Sequence, residues 1–250
     1  MTPRAALGLW RSLIIYYAQP WRTIALRRFY RALIAPGDRA FDIGAHVGHR
    51  SRALAAAGAQ VVGVEPQPVF SDFLARRVAC ESITTRAVAL GSAPGRATLH
   101  VSSRHPTVST LSSRWIDQVT HRPGFRQVRW QDRVEVEVST LDALIAEFGV
   151  PHFCKIDVEG LEAEILDGLS QPIALVAFEY NPATPDIARA CIARLETLGR
   201  YRFNRVVGES HRFYHADWID ADAMRTELAN LSDTRAPGDI YARLSDTVDG

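Results

Sequence analysis

Lysine is almost missing from this chain. Lys155 is the only one, and arginine supplies the rest of the 29 basic residues. The bias reads as genome composition. Cysteine is scarce too: Cys80, Cys154 and Cys191 lie far apart, with no CxxC pair and no Cys/His spacing suited to zinc. That excludes a disulfide scaffold and points to reduced thiols in a cytoplasmic protein. Excess charge is lacking, because the formal net charge is only +1. A polyanion-binding surface is therefore not expected, and nucleic acid is not an expected partner. Long apolar runs are absent as well. The stretch Leu7 to Tyr17 is interrupted by Arg11, short of the ~18 apolar residues that a spanning helix needs. It also lacks the small-residue cleavage site of a signal peptide. What remains is an amphipathic helix with Trp10, Trp21, Arg22, Arg27 and Arg28 close by. Such a segment either makes peripheral contact with a membrane surface or packs across the rest of the fold. No repeat, low-complexity tract or linker divides the chain. Its 250 residues read as a helical extension over 1–36 and one α/β domain over 37–250.

Turn chemistry and apolar periodicity place the elements. Residues 5–18 and 21–34 read as helices broken at Pro20, the second ended by Pro36-Gly37-Asp38. Strand and helix then alternate: strand 39–43, helix 48–57, strand 60–64, helix 69–80 and strand 83–90. This order predicts a parallel sheet with right-handed crossovers. Residues 91–139 interrupt it. Strand-like alternation at 97–101 and 134–138 flanks a polar Arg- and Ser-rich stretch, read either as a substrate-side lid or as an ordinary insertion. Regularity returns with a helix opened by Ser139 or Thr140, a buried strand 153–158, a helix 161–169 and a strand 173–178 ending at Glu179. A helix 185–198, strands 201–207 and 212–215, a helix 220–231 and a last strand 237–244 complete the pattern.

The segment Phe41-Asp42-Ile43-Gly44-Ala45-His46-Val47-Gly48 is a strand running into a glycine turn. Glycine there leaves the backbone bare for a ligand. Asp42 suits a cationic amine or the ordering of the turn. A second apolar run, Val61-Val62-Gly63-Val64, ends in Glu65-Pro66, twenty-three positions after Asp42. In dinucleotide folds an acid that grips ribose hydroxyls follows at about that interval, ~20 residues. The two glycines stand four apart, unlike the tighter G-x-G-x-x-G that cradles a pyrophosphate. A nucleoside without phosphates, such as S-adenosylmethionine, fits better than NAD.

With Lys155-Ile156-Asp157-Val158-Glu159-Gly160-Leu161-Glu162 added, these strings resemble, in order, the FkbM family of S-adenosylmethionine-dependent methyltransferases. The likeness runs from about Arg39 to Glu179 and returns at Gly238-Asp239-Ile240-Tyr241-Ala242-Arg243. It implies a class I methyltransferase fold. That is a Rossmann-like, mostly parallel seven-stranded sheet with helices on both faces and a reversed final strand, here preceded by the helical extension. It also implies O-methylation as the usual chemistry. By motif match, Asp42, Gly44, Ala45 and Gly48 would line the methionine side, Glu65 would hold the ribose, and Val88 or Ala89 would lie near the adenine; His46 and Pro66, inside the same strings, are further cofactor-binding candidates with no assigned part. His46 stands where the family often has asparagine, and Ala79-Cys80 where the helix after Glu65 often ends in asparagine.

A hydroxyl acceptor is a weak nucleophile until its proton leaves, so a base or a metal must stand beside it. Asp157 and Glu159 lie at the carboxyl end of a central strand, where open α/β sheets bind ligands. In an extended segment they would share a face. Either one is a candidate to take the acceptor proton, with Lys155 assisting electrostatically or structurally and Glu179 pointing into the same crevice. No metal site is assigned, although a divalent metal bridging Asp157, Glu159 or Glu179 stays open. His46, His49 and His105 are alternative bases. Glu162 and Glu164 read as a solvated helix face. The leading reading is O-methylation of a small molecule, sugar or glycan. A nicotinamide oxidoreductase and a cofactor-binding module without turnover are the alternatives.

Overall fold

A computed structural model describes residues 3–231 and 236–245. Two helices, α1 (Pro3–Tyr17) and α2 (Pro20–Arg31), come first; Pro20 opens the second, where its missing N–H costs nothing. The alternating region follows as β1 (Arg39–Ile43), α3 (His49–Ala55), β2 (Gln60–Val64), α4 (Pro68–Arg77) and β3 (Ile83–Arg86). Next come β4 (Ala89–Leu90), β5 (Gly95–Val101), α5 (Ser113–Val119) and β6 (Asp132–Ser139). The rest is α6 (Leu141–Phe148), β7 (Phe153–Ile156), α7 (Glu162–Asp167), β8 (Leu175–Tyr180), α8 (Pro185–Leu198), β9 (Tyr201–Val207), α9 (Ala221–Ala229) and β10 (Gly238–Leu244). Side-chain caps start α5, α6 and α9: Ser112, Thr140 and Asp220 accept from the N–H groups of Trp115, Ala143 and Ala223.

Seven strands form one sheet in the order β3-β2-β1-β7-β8-β10-β9. All run parallel except β10, which is antiparallel to both neighbours. This is the class I methyltransferase order with its reversed strand. Alternate residues of each strand enter opposite faces. Phe41, Ile43, Cys154, Ile156, Val176 and Phe178 pack under α6 to α9, whereas Ala40, Val61, Phe153, Leu175 and Ala177 meet α2 to α4. The strand order reverses between β1 and β7, which opens a crevice beyond their carboxyl ends.

The long strand expected over 83–90 is divided. Its ladder partner β2 ends at Val64, and the Glu65 N–H donates to the Arg86 carbonyl as the last rung. The chain then leaves the sheet, and Ala89–Leu90 pairs with β6 in a second sheet, β4-β6-β5. Likewise 212–215 forms no strand; a single bridge joins Phe213 to Val206. The helical extension joins the core through Leu26, Phe29 and Tyr30, with the Tyr30 ring against Phe153 and the Phe29 ring against Tyr241. Among the described residues no helix is long and apolar enough to cross a membrane.

Candidate active site

The crevice contains a cavity of about 430 Å³, within the size range of small-molecule sites. Asp42, Gly44, Ala45, His46, Glu65, Pro66, Val88, Ala89, Asp157 and Glu159 all line it. Gly48 and Lys155 do not.

The packing of the protein itself also requires both glycines. Gly44 has φ +84°, and a Cβ built on it would overlap the Asp157 carbonyl oxygen. Gly48 has φ +72°, and its Cβ would meet Val78 and Leu74 at 2.7–2.9 Å. Both make room for the protein itself: Gly44 brings the β1 turn against the β7 turn, and Gly48 seats α3 on α4. Gly48 itself does not line the cavity, and its contacts are with Val78 and Leu74.

Glu65 is buried at the end of β2 and faces the cavity. Its Oε2 accepts from the His46 N–H at 2.9 Å and its Oε1 from the Gln67 N–H at 2.8 Å. Each oxygen keeps a lone pair for a further donor, which suits a vicinal diol. Burial pushes its pKa up to about 7, against the pull of those two N–H bonds. Asp42, buried beneath the turn, accepts from the Ser51 hydroxyl and so ties β1 to α3; burial raises its pKa too.

His46 has φ +49° and packs against the Phe70 ring at 4.1 Å. Its Nε2 is paired with the Ser12 hydroxyl at 3.1 Å. Its Nδ1 is buried with no protein partner. Burial lowers its pKa to about 4, so at neutral pH the ring is uncharged. His49 pairs its Nε2 with the Thr23 hydroxyl at 3.0 Å, and the residue also lines the cavity. His105 does not line the cavity; its neighbour Pro106 does.

Strand β7 ends at Ile156, so Asp157 and Glu159 do not share a face by extension. They converge through a tight turn in which Glu159 takes φ +60°. The turn is built by Glu162, whose carboxylate accepts from the Val158 N–H at 3.2 Å and the Gly160 N–H at 3.1 Å. Glu162 is thus buried, contrary to the solvated face expected of it, while Glu164 is exposed. From the insertion, Thr110 donates to the Glu159 carbonyl at 2.7 Å, and Pro106, Thr107, Ser109 and Leu111 cover the cavity. Carboxylate oxygens of Asp157, Glu159 and Glu179 lie within 4.8 Å of one another. That donor set also suits a hard divalent cation.

The three acids hold protons unequally. Burial opposes ionisation of Asp157, but Lys155 and Arg50 outweigh it and hold its carboxyl below the usual range. Burial raises Glu159 well above its ordinary value, with Asp157 and Glu162 adding repulsion. Burial, then Glu159 and Asp157, do the same to Glu179. Lys155 is fully buried behind the wall: its Nζ lies 2.9 Å from Asp239 Oδ1, 3.3 Å from Asp157 Oδ2 and 3.1 Å from the Ile156 carbonyl. Its charged contacts are Asp239 and Asp157, and it does not line the cavity. Arg50 completes the network at 3.6 Å from Asp239, 3.8 Å from Asp157 and 3.4 Å from Glu209. Arg50, Glu209 and Tyr16, which all line the cavity, were not foreseen. The position of Arg50 one residue after His49 at the helix start was the available signal.

A doubly wound sheet with this strand order and an acid-lined cavity at its switch point defines a class I methyltransferase architecture. Residues 42–234 match the family model described as the methyltransferase FkbM domain. The chain belongs to that family and is an S-adenosylmethionine-dependent methyltransferase, which displaces the nicotinamide alternative. Similar solved structures include a precorrin-6y C5,15-methyltransferase from Geobacter metallireducens, at 13% identity and TM-score 0.47, covering 91% of this chain and 89% of that one. A TehB-like SAM-dependent methyltransferase from Corynebacterium glutamicum matches at 11% identity and TM-score 0.44, over 91% and 96% of the two chains. An O-methyltransferase from Bacillus cereus in complex with SAH matches at 14% identity and TM-score 0.44, over 95% and 90%. No match is found among curated proteins.

Proposed function

We propose that this methyltransferase acts on a hydroxyl group of a small molecule, sugar or glycan. The observation that supports this most is the carboxylate cluster Asp157, Glu159 and Glu179, with its divided proton affinities, at the strand tips. Glu65 would take the ribose hydroxyls, and Val88, Ala89 and Leu90 supply an apolar wall for the adenine. Asp42, Gly44, Ala45 and His46 would border the methionine end. The bound cofactor supplies a methyl group already activated on a sulfonium, so the chain's task is to orient and deprotonate the acceptor. Glu159 has the proton affinity for that. Burial, with Asp157 and Glu162 beside it, raises its proton affinity above that of an ordinary carboxylate, which strengthens the driving force for taking the acceptor proton. Asp157, kept ionised, supplies negative charge where the positively charged cofactor and the base meet.

The test is a panel of hydroxylated sugars, glycans and small phenols with methyl-labelled S-adenosylmethionine. The expected product carries the label in an O-methyl ether that survives mild base. Label found only on nitrogen or carbon, or no turnover beside tight cofactor binding, would overturn the reading.

A further inference from the structure

The outward side of the first two helices has the opposite character to the cavity. On α1, Leu7, Trp10 and Ile14 stand at i, i+3 and i+7 and are 70%, 66% and 62% exposed. On α2, Trp21 and Ile24 are also more than 60% exposed. Of the eight exposed large apolar side chains among the described residues, six lie on these helices. They are not fraying into solvent from a loose segment. The inward sides are fixed by Ser12 on His46, by the Tyr17 hydroxyl donating to the Val47 carbonyl, and by buried Leu26, Phe29 and Tyr30.

Charge follows the same boundary. Six arginines and none of the 28 acids precede Asp38, so the rest of the chain is net acidic. Arg22, Arg27 and Arg28 are exposed, and among the described residues they make no ion pair. Arg11 and Arg31 reach only backbone carbonyls, which leaves their charge uncompensated.

We propose that this face docks on an anionic lipid bilayer. Tryptophan and aliphatic side chains beside unpaired arginine are the chemistry of an interfacial helix. A second copy of the chain is disfavoured as the occupant, because two such faces would bring like charges together. Helix α1 also supplies Ile15 and Tyr16 to the cavity wall. A docked bilayer would therefore lie about one helix diameter, ~10 Å, from the acceptor space. The surface stands independently of which atom is methylated.

Co-sedimentation of the whole chain with phosphatidylcholine vesicles, with and without phosphatidylglycerol, reads it out. Binding is expected only to the anionic vesicles, with a blue shift of tryptophan emission. Trp10→Ala/Trp21→Ala and Arg27→Gln/Arg28→Gln should each weaken it about tenfold or more. Both pairs are surface substitutions, so thermal melting should stay at the parent value. Three results would overturn the proposal: no binding to anionic vesicles, binding indifferent to both pairs, or a concentration-dependent dimer that Trp10→Ala/Trp21→Ala dissolves.

Discussion

Glu159→Gln is expected to lower kcat by about 10²–10⁴-fold, the usual contribution of a positioned proton acceptor. S-adenosylmethionine affinity should change by only a few-fold. The substitution keeps size and shape. Among the described residues the Glu159 carboxylate makes no hydrogen bond, and Thr110 holds the residue through its backbone carbonyl, which the variant retains. What disappears is the capacity to accept a proton. The pH profile gives an independent reading. Burial, then Asp157 and Glu162, raise the Glu159 pKa. The base must be ionised to work, so wild-type activity should fall as pH drops through a value above the ordinary glutamate range. Residual activity of the variant should lack that limb. The stability sign also follows. A carboxyl whose folded pKa exceeds its unfolded value favours the folded state fully below the unfolded value and loses that contribution as pH rises through the folded one. Glu159→Gln should therefore melt no lower than wild type at neutral pH. An unchanged kcat would remove Glu159 from the mechanism.

Lys155→Met should cost about 3–5 kcal/mol of stability, the range for breaking a buried ion pair by removing one partner. For a chain of this length the melting temperature would fall by roughly 6–20 °C. Lys155 is completely buried and faces Asp239 and Asp157, so its loss leaves both acids with Arg50 as their remaining cation. The same network holds Asp157 ionised. A depressed pKa contributes stability at neutral pH, which is lost as pH falls through the folded value. Lys155→Met should therefore flatten the acid limb of the stability profile as well as lower its plateau. Adding Asp239→Asn removes one of the two negative charges left sharing Arg50 and should recover part of the loss. A melting shift below about 2 °C would contradict this account.

The strands β1, β2 and β9 and the helix α8 have the bounds that apolar runs and flanking Gly or Pro indicate, because local pattern alone fixes them. The convergence of Asp157, Glu159 and Glu179 was also readable, since strand-end acids of an open sheet meet at its switch point. Its cause was not. The turn depends on Glu162 accepting two backbone N–H groups, and a helix-face reading of Glu162 cannot anticipate N–H groups exposed by the preceding turn. The Arg50–Asp239–Lys155 cluster joins residues more than eighty positions apart and leaves no local mark. The glycines were visible but their neighbours were not. Only the packed structure shows that Gly44 yields to Asp157 and Gly48 to α4. The strand over 83–90 was divided by the length of β2, a property of its neighbour and not of its own sequence.

Calorimetric titration of S-adenosylhomocysteine and of NAD into wild type and Glu65→Ala, at pH values from about 8 to about 6, tests the site most directly. Glu65 has its pKa raised to about 7 by burial and binds hydroxyl donors when ionised. Tight S-adenosylhomocysteine binding is expected at the alkaline end, weakening up to about tenfold per pH unit below that value. Glu65→Ala should lose both the affinity and its pH dependence, and NAD should give no heat. Equal affinity in wild type and Glu65→Ala, or a preference for NAD, would contradict it.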